Sequence, residues 1–311
     1  MPSLSLKLAL GASIGGIYTS PVTSAPTWTP YGSYTAGQYV WYSGNIYQCS
    51  LATSSVVPTN PSNWLIIGSG SVIFDSISTT WFNAVSAAGS SISAQNQISI
   101  NTFLVSLNNA GVWSSIQQAN LLVGPTSIAG ALVPLAGTVT NNNFVAADYN
   151  YLTGLMGNAG NKYLITGYAN NSNASKHMYV CATSMPTKTT AMFFMGSGNT
   201  SGDGRIEMPT GVGSGISMGL SCTTTNYTNT LSATNGFGMN HNSSTTTIPY
   251  INGNLTTITG TAPTQTTANY GVFCGNTAGA SDARIAFYSL GASASIPIID
   301  TCVKTLLTAL V

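Results

Sequence analysis

The sequence predicts a mainly β protein: a small β module, then a β-sandwich of jelly-roll type with a helical hairpin lead-in and a C-terminal helix. Three observations carry this expectation. From about residue 130 to 295 short apolar runs alternate with Gly, Asn and Ser/Thr clusters, the pattern of many short strands joined by turns. Residues 75–118 and 297–310 instead space their apolar residues for helices. Only 4% of the 311 residues are charged, while 43% are hydrophobic. Such a chain has enough apolar content to build a core, and disorder would need the opposite balance.

In chain order, residues 1–27 are expected to form an N-terminal docking arm and linker. Ser3-Leu4-Ser5-Leu6-Lys7-Leu8-Ala9-Leu10 alternates strictly, which is strand periodicity. Lys7 lies inside the apolar run rather than before it, so the segment reads as an arm and not as a leader. A Pro/Ser/Thr-rich stretch over residues 18–30 reads as an extended linker. Residues 28–68 form an aromatic-rich unit too small for a full core, in which Ser43-Gly44 marks a tight turn between two strands. Gly68-Ser69-Gly70-Ser71 closes it as a second linker.

Residues 75–125 are the helical lead-in. Trp81, Phe82 and Val85 share one face, Gly89 breaks the pattern and Ser93 is placed to cap a second helix. That helix carries Ile100, Phe103, Leu104 and Leu107 and stops at Gly111. Residues 126–311 are the sandwich. Its strands are read at Lys162-Tyr-Leu-Ile-Thr, His177-Met-Tyr-Val-Cys-Ala, Ala191-Met-Phe-Phe-Met and Arg284-Ile-Ala-Phe-Tyr-Ser-Leu. Asn252-Gly253 forms a hairpin turn. The last helix starts near Pro297 and sets Ile299, Val303, Leu306, Leu307 and Leu310 on one face.

Charge then limits function. A net charge of +1 gives no long-range field to gather nucleic acid or an anionic membrane surface. No apolar stretch has the length of a membrane-spanning helix. Near-neutrality also removes self-repulsion, so packing against copies of the chain is cheap. The five cysteines, Cys49, Cys181, Cys222, Cys274 and Cys302, are odd in number and widely spaced, without metal-ligand spacing. They read as buried thiols of a protein folded in a reducing compartment.

Two resemblances add to this reading. Trp28…Tyr34-Thr-Ala-Gly37-Gln-Tyr-Val40-Trp-Tyr42-Ser-Gly44-Asn-Ile-Tyr47…Pro61-Ser-Asn-Trp64 resembles the small carbohydrate-binding module found beside chitinases and cellulases. In sugar-binding members, exposed aromatics follow the last Tyr of the pattern. Here that stretch is Gln48-Cys-Ser-Leu-Ala-Thr-Ser, so Trp28 and Trp64 read as core staples. Tyr39, Trp41 and Tyr42 remain the candidate carbohydrate-binding residues. The second resemblance spans residues 75–311. Trp81-Phe-Asn-Ala-Val, Leu107-Asn-Asn-Ala-Gly-Val-Trp113, the His177 strand, Tyr250-Ile-Asn-Gly253, Arg284-Ile-Ala-Phe-Tyr-Ser-Leu-Gly291 and the terminal helix together resemble the concanavalin or laminin-G-like jelly roll of tailed-bacteriophage fibre and decoration proteins. It implies localisation in the virion, display at the particle surface, a homotrimer and contacts to other virion proteins through the arm. Host-surface glycan is the implied ligand. Nucleic acid and membrane insertion are not expected.

The catalytic search is short because there are only six acids. A glycosidase needs two carboxylates facing one bond. Asp203 and Glu207 are the one close pair, and Arg205 shares their strand face, which reads as an ion-pair cluster. No enzyme is therefore expected; the competing reading is a secreted polysaccharide-degrading enzyme with a binding module. No cofactor is predicted beyond a candidate Ca²⁺ at Asp203 and Asp282, since related sandwiches sometimes hold calcium at a rim. His177 reads as a packed, hydrogen-bonded residue and His241 as a turn residue. Asn-x-Ser/Thr triplets at Asn173, Asn226, Asn242 and Asn254 are attributed to chance in so Asn- and Thr-rich a chain.

Overall fold

The computed structural model describes residues 22–171, 175–187, 191–198, 204–209, 215–220, 225–228, 234–243, 246–259, 267–277 and 279–311. Residues 1–21 of the arm, Asn173, Asp203 and Cys222 lie outside them.

In the small module, strands Tyr39–Tyr42, Asn45–Cys49 and Trp64–Ser69 form an antiparallel sheet with Asn45–Cys49 in the middle. Ser43 (φ +49°) and Gly44 (φ +85°) make the first turn. Two successive positive φ values suit the right-handed twist of a two-residue hairpin. Trp28, Val40, Tyr47, Cys49 and Trp64 fill the small core. Trp28 meets Tyr42 edge-on at 5.4 Å, and Tyr34 meets Trp64 at 5.2 Å. The predicted linkers differ from expectation: Ser24–Pro26 and Ser71–Ile73 pair with each other as parallel strands. Backbone pairing needs no side-chain periodicity, so Ser- and Pro-rich text concealed it. Gly70 serves close approach, since a Cβ there would lie 2.3 Å from Ile46 Cδ1 and 2.7 Å from the Thr23 carbonyl.

The helical hairpin forms as read. Asp75 caps helix α1 (Ser76–Ala87) by accepting from Ile77 N–H at 2.9 Å. Ser93 caps α2 (Ala94–Asn109) by accepting from Asn96 N–H at 3.2 Å. Each cap satisfies one of the orphan amides of a first turn. The amides of Asn101 and Asn109 on α2 reach out to Thr27 and Thr29 hydroxyls at 2.9 and 2.8 Å, fastening the start of the small module to the helical layer. A one-turn helix α3 (Ile128–Ala131) follows, and α4 (Ile296–Ala309) carries Pro297 in its first turn. Ile299, Val303, Leu306 and Leu310 of the last helix are buried, and Leu307 is half-buried.

The sandwich has a nine-stranded and a seven-stranded sheet. In the larger one, Lys176–Ser184 lies between Arg284–Gly291 and Asn235–Ser243. Its alternation explains its apolar text: Met178, Val180 and Ala182 join the core between the sheets, and Tyr179 and Cys181 join the one under the helices. A strand covered on both faces loses the in–out polarity of a half-exposed one. The seven-stranded sheet supplies Leu164, Phe194, Ile206, Ile216, Met218 and Val272 to the shared core. Two expectations are corrected. Ile116–Leu121, placed in the helical lead-in, is a strand paired with Arg284–Gly291. His241 is no turn residue: it lies in strand Asn235–Ser243, where Nδ1 sits 2.9 Å from the Thr247 hydroxyl. Its neighbour Asn240 is a turn former by composition, but the ladder to Thr246–Ile251 pairs both Asn240 and His241. No helix among the described residues is long and apolar enough to cross a membrane.

Candidate functional site

Strand alternation divides the three candidate sugar-binding aromatics. Tyr39 and Trp41 share one face of the small sheet, with Gln48 and Ile46 opposite them across the ladder. Tyr42 turns to the other face and packs on Trp28 and Tyr47. The Trp41 indole N–H donates to the Gly70 carbonyl at 2.8 Å, which pins the half-buried ring. Gln48 donates to the Tyr39 hydroxyl at 3.1 Å. The polar part of this face is thus the Tyr39–Gln48 pair, beside exposed Leu65.

The carboxylates are engaged one at a time. Asp75 caps α1. Asp148 binds Lys162 Nζ at 2.6 Å and accepts from Val145 N–H. Asp282 accepts from the Thr187 amide at 3.2 and 3.3 Å and from its hydroxyl at 2.5 Å. Glu207 lies 3.4 Å from Arg205 Nε, the ion pair expected from the strand face; burial raises its carboxyl above the ordinary range, while Arg205 and Ser217 oppose the shift. Asp300, on the buried face of α4, accepts from the Tyr179 hydroxyl at 2.7 Å and the Tyr250 hydroxyl at 2.6 Å, and Lys304 completes the group at 2.8 Å. These five carboxylates are held by five separate sets of partners. Nor do the described residues contain a group of three or more His, Cys, Asp or Glu able to hold a metal ion. Of the two candidate calcium ligands, Asp203 lies outside the described residues and Asp282 is bound to Thr187.

Both histidines are buried. His177 Nδ1 is 2.6 Å from the Ala292 carbonyl and Nε2 is 3.1 Å from the Ser289 hydroxyl. A carbonyl only accepts, so Nδ1 carries the proton and the neutral Nε2 accepts from Ser289. Burial lowers the ring's pKa to about 4, against the opposing pull of the Ala292 hydrogen bond. His177 is the packed residue expected.

Sequence reasoning missed a polar cluster at one end of the sandwich. Lys176 is buried there, with Nζ 3.3 Å from Asn170 Oδ1 and also bonded to the Asn171 carbonyl. Tyr270 donates to the same Asn170 oxygen at 3.0 Å. The Asn170 amide nitrogen is buried and finds no acceptor among the described residues. Burial lowers Lys176 to about 8, and both burial and Lys176 lower His241. The available signal was Lys176 itself, one of seven cations, placed directly before an apolar strand.

No family model matches the chain, and no curated protein matches it. Solved structures are similar at low identity. The botulinum neurotoxin serotype D binding domain has a TM-score of 0.44 and 10% identity over 61% of this chain. A Trypanosoma rangeli sialidase in complex with 2,3-difluorosialic acid has 0.42 and 10% over 61%, and a GH54 α-L-arabinofuranosidase mutant has 0.38 and 8% over 49%. The alignments span 51%, 32% and 40% of those three chains, so the chain spans about half the length of the first and less of the others. At TM-scores below 0.5 such likeness identifies neither a ligand nor a reaction.

Proposed function

We propose that this chain is a non-enzymatic surface protein of a virion, attaching to host-surface glycan as a tail fibre. The observation that carries the non-enzymatic part is the fate of the carboxylates. Each described one is spent on a cap, an ion pair, a buried hydroxyl network or, for Asp282, the amide and hydroxyl of Thr187, whereas glycoside hydrolysis needs two converging on one bond. Uncharged hydroxyls and amides cover the scaffold instead, and these bind sugars weakly enough to need many copies in one array. Labelling the chain with gold-tagged antibody on intact particles, together with a glycan array probed by the purified protein, tests the reading. Label at the tail tip with glycan capture is expected; label over the capsid alone would make the chain a decoration protein instead.

One observation favours an enzyme reading: burial raises the Glu207 carboxyl, the direction in which a general acid's carboxyl is shifted. Turnover of a glycan panel that disappears in Glu207→Gln would establish it. The non-enzymatic reading expects no turnover by either protein.

A further inference from the structure

The sheets of this protein end in two kinds of edge. Among the described residues the nine-stranded sheet runs out at Tyr149–Asn150, Asn254–Leu255 and Ile258–Thr259, two residues each, and at Ile116–Leu121, whose outer side carries the bridge from Ala119 to Ala136; the seven-stranded sheet runs out at Thr225–Thr228 and Val139–Asn142, four each. Short edges offer few unpaired backbone groups to another chain. The small module ends differently. Trp64–Ser69 is six residues long, is the last strand of its sheet and, among the described residues, pairs only with Asn45–Cys49. The opposite edge strand, Tyr39–Tyr42, is covered by a bridge between Thr27 and Trp41.

The open strand carries Leu65, Ile66 and Ile67 in a row, exposed to 56%, 57% and 41%. Three consecutive exposed apolar residues place greasy surface on both sides of a strand whose outer edge meets no other strand among the described residues. Lysine, inward charge, proline and bulges are the usual guards of such an edge; this strand has no charge and no proline, and its one irregularity is the register shift that leaves Ile67 without a partner across the ladder. The sequence holds no charged residue between Lys7 and Asp75. Two identical edges brought together therefore meet no repulsion.

We infer that Trp64–Ser69 pairs edge to edge with the same strand of a second copy, antiparallel about a two-fold axis. An antiparallel strand pair is self-complementary, so one patch serves both partners, and Leu65, Ile66 and Ile67 of each copy cover those of the other. A six-residue strand is only about 20 Å long, so this contact alone falls short of the roughly 1,000 Å² of a stable interface. The pairing is therefore weak in dilute solution and effective where many copies are held close together. It is independent of what the protein attaches to.

Sedimentation velocity on the full chain, from about 5 to about 500 µM, spans the range where an interface this small associates. A monomer–dimer equilibrium is expected. Ile66→Lys, a charged guard placed on the edge, is expected to weaken it at least tenfold with an unchanged far-ultraviolet spectrum. Ile67→Thr keeps the β-branched shape and should weaken it less, which covers the case in which the lysine variant does not fold. Leu4→Ser with Leu6→Ser in the arm should leave dimerisation intact. A monomer at every concentration, or an oligomer indifferent to both edge variants, overturns the proposal. So does an association lost only in the arm variant, which would make the arm the pairing strand.

Discussion

Asp300 shows how much one buried side chain can organise. It accepts two phenol protons from different strands, Tyr179 and Tyr250, and faces Lys304 one turn along its own helix. The last helix is thus keyed to the sheet by polar contacts at the centre of an apolar interface. Asp300→Ala strands two buried hydroxyls and is expected to cost about 3 kcal/mol, read by chemical denaturation. Gly236 belongs to the same group, because a Cβ there would lie 1.8 Å from Asp300 Oδ1. Gly236→Ala should therefore destabilise strongly by itself and far less in the Asp300→Ala background, a non-additivity that a double-mutant cycle measures. His177 gives the pH dependence. Its folded pKa, about 4, lies below the unfolded 6.5, so the unfolded chain binds the proton first. The stability it contributes is complete above pH 6.5 and is lost as pH falls toward 4, about 3 kcal/mol in all. His177→Asn keeps a donor for Ala292 and should flatten the denaturation midpoint between pH 6.5 and 4; an unchanged slope would place the effect elsewhere.

At the scale of elements, local signals were legible and distant ones were not. Ser93 and Pro297 mark helix starts because a cap is decided within three or four residues. Asn252-Gly253 likewise announces its hairpin, with φ of +47° and +98°. Nothing lies within 4 Å of a Cβ at Gly253, so Gly253→Ala is expected to cost about 1 kcal/mol from backbone strain alone, visible as a lowered melting temperature with unchanged fold. The parallel pair of Ser24–Pro26 with Ser71–Ile73 joins segments over forty residues apart, and neither is periodic. The Lys176 cluster was illegible for a related reason: Tyr270 and His241 come from two other strands and Asn170 from the end of a third, and only the sandwich brings them to one end. Of the three candidate aromatics, alternation in Tyr39–Tyr42 already required Tyr42 to face away from Tyr39 and Trp41.

At the scale of the molecule, scarcity of charge is the governing property. Three ion pairs are present among the described residues, joining Lys162 to Asp148, Arg205 to Glu207 and Lys304 to Asp300, each at least partly buried. Screening acts on exposed charges more than about a Debye length apart, and few such charges exist here. The melting temperature should therefore change little between 50 mM and about 0.5 M sodium chloride, and surface attachment through hydroxyls and amides should be equally indifferent. A steep fall in either with salt would mean that ionic contacts carry more than the described residues account for.

The buried thiols bear on how the protein ages. Cys49, Cys181, Cys274 and Cys302 are free and enclosed, and burial pushes the last three up to about 12. Thiolate is the reactive form, so these sulfurs are inert to alkylating agents and oxidants while the fold stays closed. Each becomes reactive only when its surroundings open, so the labelling rate of Cys181, beneath the C-terminal helix, times how often that helix lifts.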